Sequence, residues 1–165
     1  MLSHFPALTT QRLHIRPLCT QDAYSVQELT NHEAITGCVH FLPKPFDLTA
    51  AQTLIASQDS GRDLFLGAWL NTPATLVAIL GTHLRGETEI EIGYWVHPSF
   101  HRKGLAQEAT GALILALHKQ FPNRQIIAEC RPENIPSWTL LQKLGFTPTQ
   151  QEGLRPGRKK LLFKK

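Results

Sequence analysis

"EIGYWVHPSFHRKGLAQEA", residues 91–109, carries an apolar strand into a helix through a short basic loop. The strand, running from Glu87 to Val96, stops at His97 and Pro98. Proline has no N–H to give a sheet ladder and holds the preceding residue extended. Helical spacing resumes near Gly104, so "HRKGLA" is a loop that feeds a helix N-terminus. The first N–H groups of a helix lack carbonyl partners, and the macrodipole places partial positive charge there. Arg102 and Lys103 add full charges, and Gly104 leaves free the space a Cβ would take from an approaching phosphate. Two readings of the loop stand at this point: an anion site, or a solvated helix entrance.

Working outward, residues 12–18, "RLHIRPL", alternate Leu13 and Ile15 with Arg12, His14 and Arg16, the period of a half-buried strand. A helix capped by Thr20 should follow, with Ala23, Val26 and Leu29 at helical spacing. Pro43 and Pro45 mark a loop. A second helix is expected from a cap at Asp47 or Thr49 to Gly61. "DLFLGAWL", "TLVAILGTHL" and "ETEIEIGYWVH" are separated by turn residues and predict three consecutive antiparallel strands. The central helix runs from Gly104 to Gln120, with Leu105, Ala109, Ala112, Leu113, Ala116 and Leu117 as its apolar stripe. "RQIIAEC" is a strand, and a right-handed crossover through that helix would set it parallel to the strand ending at Val96. A last helix should start after Asn134 and end at Gly145. A hairpin turning at "EGLRPG" closes the chain.

The totals restrict the class of protein. A chain of 165 residues, 42% hydrophobic and 18% charged, suits one globular domain over 1–165. A net charge of +4 suits an anionic ligand or neighbour without requiring one. Cys19, Cys38 and Cys130 form neither a CxxC motif nor an even set, which favours a reducing, cytoplasmic setting over a disulfide framework. The eight histidines include no HExxH motif and no pair at helical spacing on a helix, so no metal site is expected. The N-terminus lacks the basic and apolar regions of a signal peptide, and no apolar run approaches a membrane span.

The chain resembles the GNAT N-acetyltransferases, and more closely their branch that modifies ribosomal-protein N-termini. The likeness rests on "LTTQRLHIRPLCTQDA", "LPKPF", "EIGYWVHPSFHRKGLAQEA" and "ENIPSWTLLQKLGF", which together span most of its length. It implies an α/β (α+β) fold: a central, mixed, mostly antiparallel sheet of six to seven strands with a splayed parallel pair, flanked by about four helices. The family's pyrophosphate signature is Gln or Arg, two residues, Gly, one residue, then Gly or Ala. Gly104 and Ala106 match it, and His101 departs at the first position.

The resemblance implies that acetyl-CoA is the cosubstrate, with its pyrophosphate against His101, Arg102, Lys103, Gly104, Leu105, Ala106 and Gln107. The pantetheine arm would run along the backbone of Tyr94, Trp95 and Val96; the side chains of Tyr94 and Trp95 are otherwise ordinary core aromatics. Asn134 caps a helix and, by resemblance, bonds the pantetheine. Ser137 would protonate the leaving thiolate, or is simply a first-turn serine.

Acetyl transfer needs a neutral amine. An α-amine, with a pKa of about 8, needs less help to lose its proton than lysine at about 10.4. Glu89 and Glu91 share one face of their strand. The resemblance gives Glu91 the base role, directly or through water; the alternative is a cross-strand ion partner. The expected acceptor is a protein N-terminus, ribosomal-protein-like, with no direct sequence-specific nucleic-acid binding and no membrane. The expected assembly is a monomer or homodimer. The alternatives are a small-amine acetyltransferase (polyamine, amino acid or antibiotic) and a non-catalytic CoA-binding module.

Overall fold

The computed structural model describes residues 1–164. Its strands are β1 (Leu8–Thr9), β2 (Leu13–Pro17), β3 (Asp63–Asn71), β4 (Ala74–Arg85), β5 (Glu89–Val96), β6 (Gln125–Cys130), β7 (Phe146–Glu152) and β8 (Lys159–Phe163). The helices are α1 (Ala23–Thr30), α2 (Glu33–Thr36), α3 (Leu48–Ala56), α4 (Leu105–Gln120) and α5 (Ile135–Lys143). The sheet has eight strands in the order β1-β2-β3-β4-β5-β6-β8-β7. β5 and β6 are its parallel pair, with Glu89 opposite Gln125 and Ile92 opposite Ala128. The β1–β2, β2–β3, β6–β8 and β7–β8 pairs are antiparallel. The expected mixed sheet is therefore present. The additions are β1 and α2, elements of two and four residues, too short to show a period in the sequence.

The chain divides into two compact units, Met1–Gly81 with Tyr94–Thr110, and Thr82–Gly93 with Gly111–Lys165. In the first, Leu13 and Ile15 of β2 are fully buried while His14 between them is exposed, as the alternation requires. Val26 and Leu29 of α1, Ile35 of α2, Ala51, Leu54 and Ile55 of α3, and Phe46, Phe65, Ile79 and Trp95 form one apolar cluster. Each large side chain in it contributes roughly 1.5–3 kcal/mol by leaving water. The Trp95 indole Nε1 donates to Thr30 Oγ1 at 3.1 Å, which satisfies both buried polar groups.

Thr20 is not the cap of α1. Residues Thr20–Asp22 form a 3-10 turn, and the Asp22 carboxylate accepts the Cys19 N–H at 2.8 Å together with both Nη groups of Arg16 at 2.8 Å. A two-pronged ionic contact outcompetes a lone hydroxyl for the turn. Between the two cap candidates of α3, Asp47 takes the role, its Oδ1 accepting from Ala50 N at 2.8 Å.

In the second unit, Leu113, Leu117, Ile126, Ile127, Leu141 and Leu161 are buried. The apolar stripe of α4 is narrower than expected: Ala112 and Ala116 are half-buried, and Ile114 takes a buried position. Asn134 caps α5, and Gly145, at φ +98°, ends it in the left-handed conformation a helix C′ position favours. The β7–β8 turn is closed by Gly153 N–H donating to Arg158 O at 2.7 Å.

Candidate active site

In the first unit, β5 ends where His97 N–H donates to Val77 O at 3.0 Å. A 3-10 turn, Pro98–Phe100, follows, with His97 Nδ1 accepting the Ser99 N–H at 3.2 Å. Arg102 at φ +59° and Gly104 at φ +72° then place two left-handed residues on either side of Lys103. Among the described residues Arg102 is the one non-glycine with positive φ, which costs about 1 kcal/mol or more. Gly104 O accepts from Glu108 N at 3.1 Å, so α4 begins there and leaves the N–H groups of Leu105, Ala106 and Gln107 without helical partners. The loop thus turns consecutive backbone N–H groups outward at a helix start, a shape that suits an anion.

His101 adopts a role its position in the signature does not suggest. Its Nε2 lies 2.9 Å from the Val96 carbonyl. A carbonyl only accepts, so Nε2 carries a proton. His101 is therefore a brace between loop and strand end. His97 stacks edge-to-face on His32, ring centroids 4.6 Å apart. Burial first, then the neighbouring His32 and His101, lower the His97 pKa.

Arg12 borders the space beside Gly104. A Cβ built on it would meet Arg12 Nη2 at 3.4 Å, so the glycine is required by its left-handed φ, and the side a Cβ would take faces a guanidinium. Arg12 is fixed by two contacts: Nε donates to Glu108 Oε2 at 2.6 Å, and Nη1 donates to the Lys103 carbonyl at 2.8 Å. Glu108 also accepts from Thr10 Oγ1 and Arg12 N, and these bonds, acting against burial as the largest single influence, hold its carboxyl below the usual range. Nothing local in the sequence marks this pair, because 96 residues separate its members.

The side chain of Trp95 belongs to the core, with Phe41 and Phe65 rings 6.1 and 6.2 Å away. Tyr94 is half-buried, and Val96 is buried with its carbonyl turned to His101.

In the second unit, Glu91 is enclosed by cations. Its side chain is 4% exposed, Oε2 accepts from Arg85 Nε at 2.6 Å, and Oε1 accepts from Arg155 Nη2. Arg155 Nε also donates to Glu129 Oε2 at 2.8 Å, while Glu129 Oε1 accepts Leu154 N–H at 2.7 Å. Burial, then Arg158 and Arg85, lower the Arg155 pKa to about 10, which leaves it charged at neutral pH. Glu89 pairs with Lys160 Nζ at 2.5 Å. Arg155 and Glu129 escaped the sequence reading because their partners lie on other elements.

Asn134 Oδ1 accepts Ser137 N–H at a long 3.4 Å, the geometry of a weak cap. The Ser137 hydroxyl hydrogen-bonds the buried Cys130 thiol, an interaction that lowers a thiol pKa; burial outweighs it and raises Cys130 overall. Among the described residues no group of three His, Cys, Asp or Glu side chains could hold a metal ion, and no helix is long and apolar enough to cross a membrane.

Residues 12–147 match the family model of the GNAT acetyltransferase domain. The chain belongs to that family, and its chemistry is that of an acetyltransferase. It is 28% identical over 141 residues to the uncharacterized N-acetyltransferase YnaD of Bacillus subtilis, covering 84% of this chain and 81% of that one. It is also similar to the crystal structure of a GNAT-family acetyltransferase from Bacillus anthracis, with a TM-score of 0.79, 24% identity, and 95% and 96% of the two chains covered. A third likeness is to RimL, the ribosomal L7/L12 alpha-N-protein acetyltransferase in complex with coenzyme A. Its TM-score is 0.81 at 14% identity, with 95% and 97% of the two chains covered.

Proposed function

We propose that this chain is a cytoplasmic, acetyl-CoA-dependent N-acetyltransferase whose acceptor is the α-amine of a protein N-terminus. The loop at the start of α4 carries the reading: paired left-handed residues at Arg102 and Gly104 open backbone N–H groups where the family signature puts the coenzyme pyrophosphate. The ribosomal-protein N-terminus as acceptor rests on the quoted sequence likeness and on the shape shared with RimL. The family match runs through residues of both units, which supports treating 1–165 as one catalytic domain. Cys19, Cys38 and Cys130 are not joined in disulfides, which agrees with a reducing compartment.

In the reaction the amine nitrogen attacks the thioester carbonyl carbon, the C–S bond breaks, and the ammonium proton passes to solvent. About a tenth of an α-amine with pKa near 8 is already neutral at pH 7, so a weak acceptor such as water suffices. Of the two roles open to Glu91, the ion-partner role is the one its surroundings support: both carboxylate oxygens are held by guanidinium groups. Tyr94, Trp95 and Val96 would offer backbone to the pantetheine, His101 would hold Val96, and Arg102 to Gln107 would offer N–H groups and charge. Asn134 caps α5 and would bond the pantetheine. Ser137, in the first turn of α5, would serve the departing thiolate.

Acetyl-CoA turnover followed by thiol release, over a panel of free and N-terminally blocked peptides, polyamines and amino acids, tests this. Release with free peptide N-termini and none with blocked lysine peptides is expected. Turnover with small amines alone would replace the acceptor class, and no CoA binding at all would remove the enzyme reading.

A further inference from the structure

The Lys103–Gly104 peptide can face either of two ways, and only one serves an anion. Gly104 makes rotation of this peptide cheap, since both signs of φ are open to it. A trans peptide points its N–H opposite its carbonyl, and the cis bonds of the described chain are elsewhere, before Pro45 and Pro73. The Lys103 carbonyl is drawn to the guanidinium of Arg12, with Nη1 at 2.8 Å. The N–H of Gly104 is therefore presented on the side away from Arg12. Were the peptide turned over, a carbonyl oxygen would face the bound anion and repel it.

We infer that Arg12, from the opposite end of the chain, is a positioning residue of the coenzyme site: it locks the Lys103–Gly104 peptide with its N–H toward the pyrophosphate. The inference rests on the coenzyme reading above. Two observations beyond the loop support it. Arg12 is oriented by Glu108 through Nε, and Glu108 is itself fixed by Thr10 Oγ1 at 2.6 Å and by Arg12 N at 2.8 Å, so the guanidinium is braced before it reaches the carbonyl. His101, in the signature position usually held by Gln or Arg, spends its Nε2 proton on tying the loop to Val96, which leaves the Lys103–Gly104 peptide to be oriented by Arg12.

Calorimetry with CoA on the full chain and on Arg12→Gln, Arg12→Lys and Glu108→Gln tests the inference, with the Gly104 amide followed by NMR. Arg12→Gln is expected to weaken CoA about tenfold or more and to abolish the CoA-induced shift of the Gly104 amide. Arg12→Lys, which keeps a charged donor for the same carbonyl, should recover much of the loss, and it carries the test if Arg12→Gln does not fold. Glu108→Gln, whose amide oxygen can still accept from Arg12 and so keeps part of the brace, should weaken CoA less than Arg12→Gln does. Equal weakening by Glu108→Gln and Arg12→Gln would mean that Arg12 only ties residues 10–13 to α4, and the inference would fall. Wild-type affinity in Arg12→Gln would also overturn it while leaving the acetyltransferase reading intact. A wild-type chain that does not bind CoA would overturn both.

Discussion

Arg155 donates to Glu91 through Nη2 and to Glu129 through Nε, so one side chain of the β7–β8 turn joins two carboxylates on adjacent parallel strands. Its guanidinium and that of Arg85 neutralise Glu91 inside the second unit.

Glu91→Gln should consequently read as a structural lesion. It leaves Arg85 and Arg155 without their shared counter-charge, and a loss of about 2–3 kcal/mol is expected, the partners' partial exposure trimming the cost of a broken buried pair. Urea denaturation measures it. A double-mutant cycle with Arg155→Gln should show coupling of about 1 kcal/mol or more. The pH profile of kcat/KM should overlay the wild type after correction for folded protein. A profile whose acidic limb moves would instead make Glu91 the base.

Gly104→Val should abolish acetyl-CoA binding. At φ +72° a β-branched residue is strained, so the loop must change course, although its Cβ would meet Arg12 Nη2 only at an ordinary contact of 3.4 Å. Gly104→Ala should lose less, with about 1 kcal/mol of strain visible as a lower Tm. Calorimetry showing unchanged affinity for either variant would separate the loop from the coenzyme.

His97 predicts the pH dependence of stability. Its folded pKa lies below the ordinary 6.5, so between the two values the unfolded chain binds more protons and stability rises with pH. The contribution is complete above about 6.5 and fades as pH falls through the depressed value. His97→Asn, which keeps an acceptor for Ser99 N–H, should flatten the Tm-against-pH curve between pH 7 and 5. An unchanged slope would assign that dependence to other groups.

Ser137→Ala separates two roles for one hydroxyl. Protonation of the leaving thiolate requires kcat to fall by ~10² while the KM for acetyl-CoA barely moves. If the hydroxyl serves only Cys130, the loss should be confined to stability and Cys130→Ala should reproduce it. Asn134→Ala should raise the KM and cost about 0.5 kcal/mol, the low end for a cap, since its bond to Ser137 N is 3.4 Å long.

Local chemistry was legible in the sequence: the alternation that buries Leu13 and Ile15, the end of β5 at Pro98, the cap at Asn134, and the glycine that opens α4. Each depends on residues within a few positions of one another, where period and backbone sterics leave little choice. The parallel partnership of β5 and β6 was legible too, because the hand of a strand-helix-strand crossover is nearly invariant. What only the tertiary structure decided is how charges far apart in the chain pair. Arg12 with Glu108 and the Lys103 carbonyl, Arg155 with Glu91 and Glu129, and His101 with Val96 follow from where folded backbones bring polar groups together. Ion pairs have no sequence period, and buried charges accept whichever partner the packing supplies. For that reason the sequence marked the position of the loop that opens α4, and the fold decided which side chains hold it in shape.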